Sequence, residues 1–92
     1  MSTAPSRIRT VSVLVLYFAG VKESAGKSEE HLELPDTVRT IADFASFLEA
    51  RCPALSGRLG AVRFAINEAF VDRTAAIGAG DVIAVIPPVS GG

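Results

Sequence analysis

The two most apolar segments of the chain lie towards opposite ends of the sequence, with one helical segment between them. The first, Ile8–Phe18, is rich in valine and is apolar on both faces over its second half, and the last, Val82–Ile86, is apolar throughout. Strands that are apolar on both faces are typical of the middle of a sheet. Both segments are therefore predicted to be central strands. They can lie side by side and parallel, because the helix between them supplies the crossover connection that a parallel pair requires.

The main helix is predicted over Ile41–Cys52. Thr40, followed three residues later by Asp43, is a plausible N-cap, and a carboxylate at that position also interacts favourably with the helix dipole. Pro53 provides the stop. The apolar residues recur at helical spacing and form one stripe, which comprises Ile41, Phe44, Ala45, Leu48 and Cys52.

Weaker segments complete the sheet. Ser28–Leu34 carries His31 and three glutamates, which is typical of an outer strand, and Pro35 ends its pairing. The remaining predicted elements are a turn or single helical turn at Val21–Ala25, a strand at Val62–Asn67, a brief return strand at Ala69–Val71 and a turn at Gly78–Asp81.

This order of elements predicts an α+β domain with a mixed sheet, in which the first and last strands are central and parallel and one main helix packs on one face. That is the β-grasp architecture of ubiquitin-like proteins. The 92 residues suffice for a single domain spanning residues 1–92, with a loose leader at 1–7 and a flexible tail at 87–92. One helix covers one face of the sheet, whereas the central strands are apolar on both. A partner protein is predicted to cover the second face.

The chain ends with two prolines, Val89, Ser90 and two glycines. Proline lacks an amide donor, so the sheet is predicted to stop and the tail to stand away from it. Glycine has no side chain and can enter a channel too narrow for other residues. With Gly92 last, its carboxylate is predicted to be the reactive group. An enzyme using ATP can convert a carboxylate to an acyl-adenylate, which a persulfide would turn into a thiocarboxylate and a lysine amine into an amide link. Tail geometry does not separate these two routes.

Composition and spacing argue against several other functions. The net charge of −1 gives no field that would attract nucleic acid, and Val11–Phe18 is too short to cross a bilayer. Cys52 is the single cysteine, which excludes an internal disulfide and is consistent with a cytoplasmic protein, and no metal-binding pattern is present. His31 is predicted to be a solvated surface residue and Cys52 a buried structural one. Four aspartates at loop, cap and turn positions are predicted to accept hydrogen bonds from backbone amides, namely Asp36, Asp43, Asp72 and Asp81.

The run Ile86–Gly92 is the most specific part of a broader likeness. Supporting pieces are Val15–Ala19, Lys22-Glu23 with Gly26, Thr40–Phe44, Ala65–Asn67 and Gly80-Asp81. Together, from about Val11 onward, the chain resembles the small, sulfur-carrying subunit of molybdopterin synthase. Two positions depart from the family pattern: Lys22 stands where arginine is usual, and Val82 stands where an acidic residue is usual.

The resemblance implies a sulfur carrier that is not catalytic alone and has no permanently bound cofactor. A ubiquitin-activating-like adenylyltransferase would use ATP to adenylate Gly92, and a persulfide donor would then supply sulfur to make the thiocarboxylate. The tail, including Gly91, would enter the large catalytic subunit within a heterotetramer and deliver sulfur to cyclic pyranopterin monophosphate. The contact candidates are Phe18, Ile86, Pro87, Pro88, Val89 and Ser90.

Three alternatives stay open at this stage. Related carriers with a Gly-Gly end serve thiamine, cysteine or transfer-RNA thiolation. A ubiquitin-like modifier joined to target lysines would need the same slim tail. A plain interaction module with an inert tail is the third.

Overall fold

The computed structural model describes residues 10–88. The predictions for the leader and for Val89, Ser90, Gly91 and Gly92 lie outside the described residues. In chain order the elements are β1 (Thr10–Tyr17), α1 (Ala19–Ala25), β2 (Glu29–Pro35), α2 (Ile41–Arg51), a 3₁₀ turn (Pro53–Leu55), β3 (Arg63–Ile66), β4 (Ala69–Val71) and β5 (Val82–Ile86).

The five strands form one sheet in the order β2-β1-β5-β3-β4. β1 and β5 are parallel neighbours, with Val15 opposite Ile83 and Tyr17 opposite Val85. The other pairings are antiparallel. The prediction of central, parallel first and last strands is confirmed, as is the ubiquitin-like β-grasp fold.

A capping box starts α2 as the sequence predicts. The amide of Asp43 donates to the Thr40 hydroxyl at 3.2 Å, and the amide of Thr40 donates back to the Asp43 carboxylate at 3.1 Å. The amide of Arg39 adds a third hydrogen bond at 3.0 Å. Hydrogen bonds from the Arg39 and Thr40 amides lower the pKa of Asp43 below its usual value.

The core fills the space between α2 and one face of the sheet. Phe44 of α2 is fully buried and meets Phe64 of β3 edge to face, with ring centroids 6.2 Å apart. α1 contributes Val21 to the same cluster. The largest fully buried side chains are Phe44, Leu34, Ile41, Leu48, Leu55, Leu59, Ile83, Val13, Val15 and Val85.

A polar network closes the core on the β2 side. The hydroxyl of buried Tyr17 donates to Glu30 at 2.5 Å, and Lys27 and Arg51 reach the other carboxylate oxygen at 3.2 and 3.4 Å. Burial and the hydrogen bond to Glu30 both raise the pKa of Tyr17. Burial alone would raise the pKa of Glu30, but hydrogen bonds from Tyr17 and Lys27 outweigh it and hold that pKa below its ordinary value.

Several local predictions are corrected. The segment predicted as a turn or single helical turn is the seven-residue helix α1, which ends at Gly26 in the left-handed conformation (φ 78°). Cys52 is half-buried at the C-cap of α2 rather than fully buried on its stripe, because the helix ends at Arg51, two residues before Pro53. The Asp36 carboxylate faces the Arg39 guanidinium at 3.7 Å instead of accepting from a backbone amide.

The other three aspartates accept hydrogen bonds from backbone amides, as predicted. Asp43 does so in the capping box, the Asp72 carboxylate accepts from the amide of Thr74 at 2.9 Å, and the Asp81 carboxylate accepts from the amide of Gly78 at 2.7 Å. The prediction that His31 is exposed on β2 is also confirmed.

Candidate functional site

The second face of the sheet, opposite the face that packs against α2, is called here the open face. Strand register places five residues in a row across it, one from each strand, in the order Glu29, Leu16, Ala84, Ala65 and Phe70. Successive side chains of a strand point to opposite faces, so this row lies opposite the buried core. The apolar surplus predicted for the central strands therefore lies on this face.

Small side chains in the middle of the open face leave a groove. Ala84 and Ala65 form its floor, and Ala65 is only 5% exposed. Larger side chains surround these two alanines, and the groove has a volume of about 600 Å³. The groove is lined by Leu16, Phe18, Ala65, Asn67, Glu68, Phe70, Val82, Ala84 and Ile86.

Two aromatic side chains flank the groove and face solvent. Phe18 is 44% exposed and Phe70 is 61% exposed. The Arg63 guanidinium lies over the Phe70 ring at 4.6 Å from its centroid, a cation–π contact. Exposed apolar patches rimmed by polar residues commonly mark protein-binding surfaces. The groove has this character.

The tail, residues 87–92, begins at one end of the groove. β5 ends at Ile86, which pairs with Arg63 of β3 and also lines the groove. Pro87 is half-buried and Pro88 exposed, both outside the strand. A proline cannot donate to either neighbouring strand, so the ladder stops there. Of the predicted contact residues, Phe18 and Ile86 share the groove, and the two prolines continue from it.

The β3–β4 turn forms the other end of the groove. Asn67 and Glu68 are its two central residues, and both have positive φ, 52° and 75°. Asn67 fixes the turn to the start of β5. Its side-chain amide donates to Asp81 at 3.1 Å and accepts from the amide of Val82 at 3.0 Å, while its own amide donates to the Val82 carbonyl at 2.8 Å.

Other candidate chemistries find no support within residues 10–88. No group of three His, Cys, Asp or Glu side chains could hold a metal ion in that range. His31 lies on the open face beside Leu14, and Cys52 lies near α2 on the other side of the sheet. No helix within the described range is long and apolar enough to cross a membrane.

Comparison with known proteins agrees with this geometry. Residues 15–92 match the ThiS family, which is most of the chain, including β5 and the tail. The chain belongs to the ThiS family. The molybdopterin synthase sulfur carrier subunit of Chlamydomonas reinhardtii is 38% identical over 84 residues, covering 89% of this chain and 100% of the relative. Curated relatives with the same name from organisms such as human and Mycobacterium tuberculosis are 35% and 29% identical. The resemblance inferred from the sequence is confirmed.

Solved structures similar to this ThiS-family chain include a molybdopterin converting factor subunit and a small modifier protein. One is a putative molybdopterin converting factor, subunit 1, from Pyrococcus furiosus, 31% identical with a TM-score of 0.76 over 86% of this chain and 99% of the other. Another is the small archaeal modifier protein 1 of Haloferax volcanii, 25% identical with a TM-score of 0.76 over 86% of this chain and 99% of the other.

Proposed function

We propose that this ThiS-family chain is the sulfur carrier of molybdopterin synthesis. One observation carries the proposal: a groove on the open face ends at Ile86, the residue from which the Gly-Gly tail departs. Docking to the large subunit and delivery of sulfur would therefore use adjoining parts of the chain, the groove and the tail. The name shared by the curated relatives supports the same function.

The first step is activation of the Gly92 carboxylate. A ubiquitin-activating-like adenylyltransferase would bind the carrier and ATP, and the carboxylate oxygen would attack the α-phosphorus and release pyrophosphate. The resulting acyl-adenylate is electrophilic at carbon. Gly91 and Gly92 have no side chain beyond the α-carbon, so the terminus can enter a narrow active site.

Sulfur enters and leaves at the same carbon. A persulfide donor would attack the acyl-adenylate and displace AMP. A thiol would then attack the donor-side sulfur of the new S–S bond, which leaves a thiocarboxylate on Gly92 and oxidises that thiol and the donor thiol to a disulfide. In the large synthase subunit, that sulfur would attack an electrophilic carbon of cyclic pyranopterin monophosphate, form a C–S bond and displace an oxygen substituent of that carbon as the leaving group. Hydrolysis of the acyl–sulfur bond would then restore the carboxylate for another cycle.

The docked geometry follows from where the tail begins. The groove, including Phe18 and Ile86, would contact the large subunit, and Pro87, Pro88, Val89 and Ser90 would line the entrance of its channel. Six residues from Pro87 to Gly92 reach at most about 20 Å when extended. The tail would thus keep the sulfur within about 20 Å of the docking surface. As part of this proposal we place the carrier in the cytoplasm, because its activation uses ATP and a persulfide donor.

Reconstitution with the adenylyltransferase, a persulfide donor and the large subunit of the same organism tests the proposal. Intact mass should show Gly92 as the terminus and a gain equal to the difference between sulfur and oxygen. The precursor should then be converted to molybdopterin. Deletion of Gly92 should abolish conversion without altering the fold. Full conversion by the truncated chain would refute the proposal.

A second candidate function is that of a ubiquitin-like modifier, favoured by the likeness to the small archaeal modifier protein 1. In this case a target lysine would attack the acyl-adenylate in place of a persulfide. Mass analysis of the protein from its native cell separates the two functions. Conjugates appear as a series of heavier species, whereas a carrier appears as free acid and thiocarboxylate.

A further inference from the structure

Glu68 occupies a backbone position that favours glycine. It is the second central residue of the two-residue turn between β3 and β4, with φ of 75°. Such turns need positive φ at both central residues, and the strongly preferred pair is asparagine followed by glycine. Asn67 fits that preference, whereas Glu68 is strained in the left-handed region.

No contact within the domain explains this glutamate. Its side chain lines the groove, and the residue is exposed. Within residues 10–88, none of the hydrogen bonds or ion pairs involves its carboxylate. Arg63, the basic residue of β3, is stacked on the Phe70 ring instead. The strain of the turn is therefore not offset by a partner for the carboxylate in this part of the chain.

We propose that Glu68 is a specificity-determining residue of the groove, and that its carboxylate pairs with a lysine or arginine side chain of the large synthase subunit. This inference rests on the proposed function, because it names the chemistry of the partner at the same groove. Burial of the apolar floor stabilises the complex but does not fix the orientation of the partner, since burial of apolar area is not directional. A charge at one end of the groove can fix that orientation.

The two ends of the groove differ in charge, which would select one orientation of the partner. Glu68 is the one charged residue among the described residues that line the groove, and it lies in the turn at one end, whereas the end where the tail begins is lined by the apolar Phe18 and Ile86. A docked segment with its basic residue at the Glu68 end gains an ion pair. The reversed segment would place its basic residue against the apolar Phe18 and Ile86 and leave the Glu68 carboxylate without a partner, which is unfavourable. Correct orientation matters because the tail must point into the channel.

The test measures association of the full-length carrier with the purified large subunit of the same organism at low and at high salt. Glu68→Gln keeps the shape and removes the charge, and should weaken binding about tenfold at low salt, with a smaller difference at high salt. The matched control is Glu49→Gln. Glu49 lies on α2, on the other side of the sheet, and its accepted hydrogen bond from Gly57 can be kept by a glutamine oxygen. That variant should bind as the unmodified chain does.

Glu68→Gly separates recognition from a merely structural role. Glycine relieves the strain, so this variant should unfold at a higher temperature, yet it should bind the large subunit as weakly as Glu68→Gln does. A purely structural residue would not move stability and binding in opposite directions.

The outcomes distinguish this inference from the function on which it rests. If the unmodified carrier binds the large subunit and Glu68→Gln binds equally tightly with the same salt dependence, the inference is overturned and the proposed function stands. If the unmodified carrier does not bind at all, both are overturned. A lower unfolding temperature for Glu68→Gly would contradict the strain on which the inference depends.

Discussion

Replacement of Phe18 by alanine should weaken docking to the large subunit while leaving the domain folded. Phe18 is 44% exposed, which for a phenylalanine corresponds to about 90 Å² of surface available for a partner to bury. At about 25 cal/mol per Å², its burial contributes about 2 kcal/mol to docking. The dissociation constant should therefore rise about 30-fold.

The same substitution also removes the part of Phe18 that already packs against its own domain. That part is somewhat larger than the exposed part, so unfolding should become easier by up to about 3 kcal/mol. Isothermal titration calorimetry with the large subunit measures docking, and urea unfolding measures stability. Circular dichroism in the titration buffer verifies that the variant is folded.

Phe47→Ala is the matched control for this measurement. Phe47 is partly buried on α2 and packs against the core, on the layer opposite the groove. The control should lose stability by a similar or larger amount and keep its affinity. An unchanged affinity for folded Phe18→Ala would refute the argument that the groove is the docking surface. Equal losses of affinity in both variants would show that general destabilisation, rather than the groove, is being measured.

Three further predictions concern the capping box, the buried network and the tail. Thr40→Ala should destabilise the fold by about 1 kcal/mol in urea unfolding and leave docking unchanged, because it removes the N-cap of α2 far from the groove; no loss would contradict the role of the cap. The pKa of Glu30 is lower in the folded state, so its contribution is present above its unfolded pKa and is lost as pH falls through its folded pKa. Glu30→Gln should therefore flatten the acid limb of stability against pH, and an equally steep limb would contradict this. One residue added after Gly92 should abolish sulfur transfer with an unchanged unfolding curve; retained transfer, with mass spectrometry showing the addition intact, would exclude the Gly92 carboxylate as the reactive group.

The layout of the sheet could be predicted because a strand that is buried on both faces has apolar residues at successive positions. Ile8–Phe18 and Val82–Ile86 read as central strands from their apolar residues alone, and the helix between them allowed a parallel pair. The extent of α1 could not be predicted in this way. Its seven residues include Gly20 and bury Val21 alone, so neither propensity nor an apolar stripe identifies the helix.

Only some of the residues that line the groove could be predicted from the sequence. The surplus of apolar residues on the central strands predicted a partner on this face, and the family resemblance implied Phe18 and Ile86 as contacts, whereas Phe70 and Glu68 were missed. Their position depends on pairing between β3 and β4, which brings Phe70 opposite Ala65. A signal was present in the two-residue connection between alternating strands, which begins with an asparagine suited to positive φ. The glutamate that follows obscured the signal, because glycine is expected there.

The position of β5 has a mechanical consequence for a protein whose last residues we propose to enter another molecule. β5 is bonded to β1 along one edge and to β3 along the other, and its carboxyl end leads directly into Pro87. A pull applied beyond Pro88 would run along the strand and load both ladders in shear, so that their hydrogen bonds resist together rather than opening one after another. Force applied to the C-terminus by an enzyme should release the whole domain from its docking surface before the sheet unfolds. The carrier should therefore stay folded through repeated insertion and withdrawal of its tail.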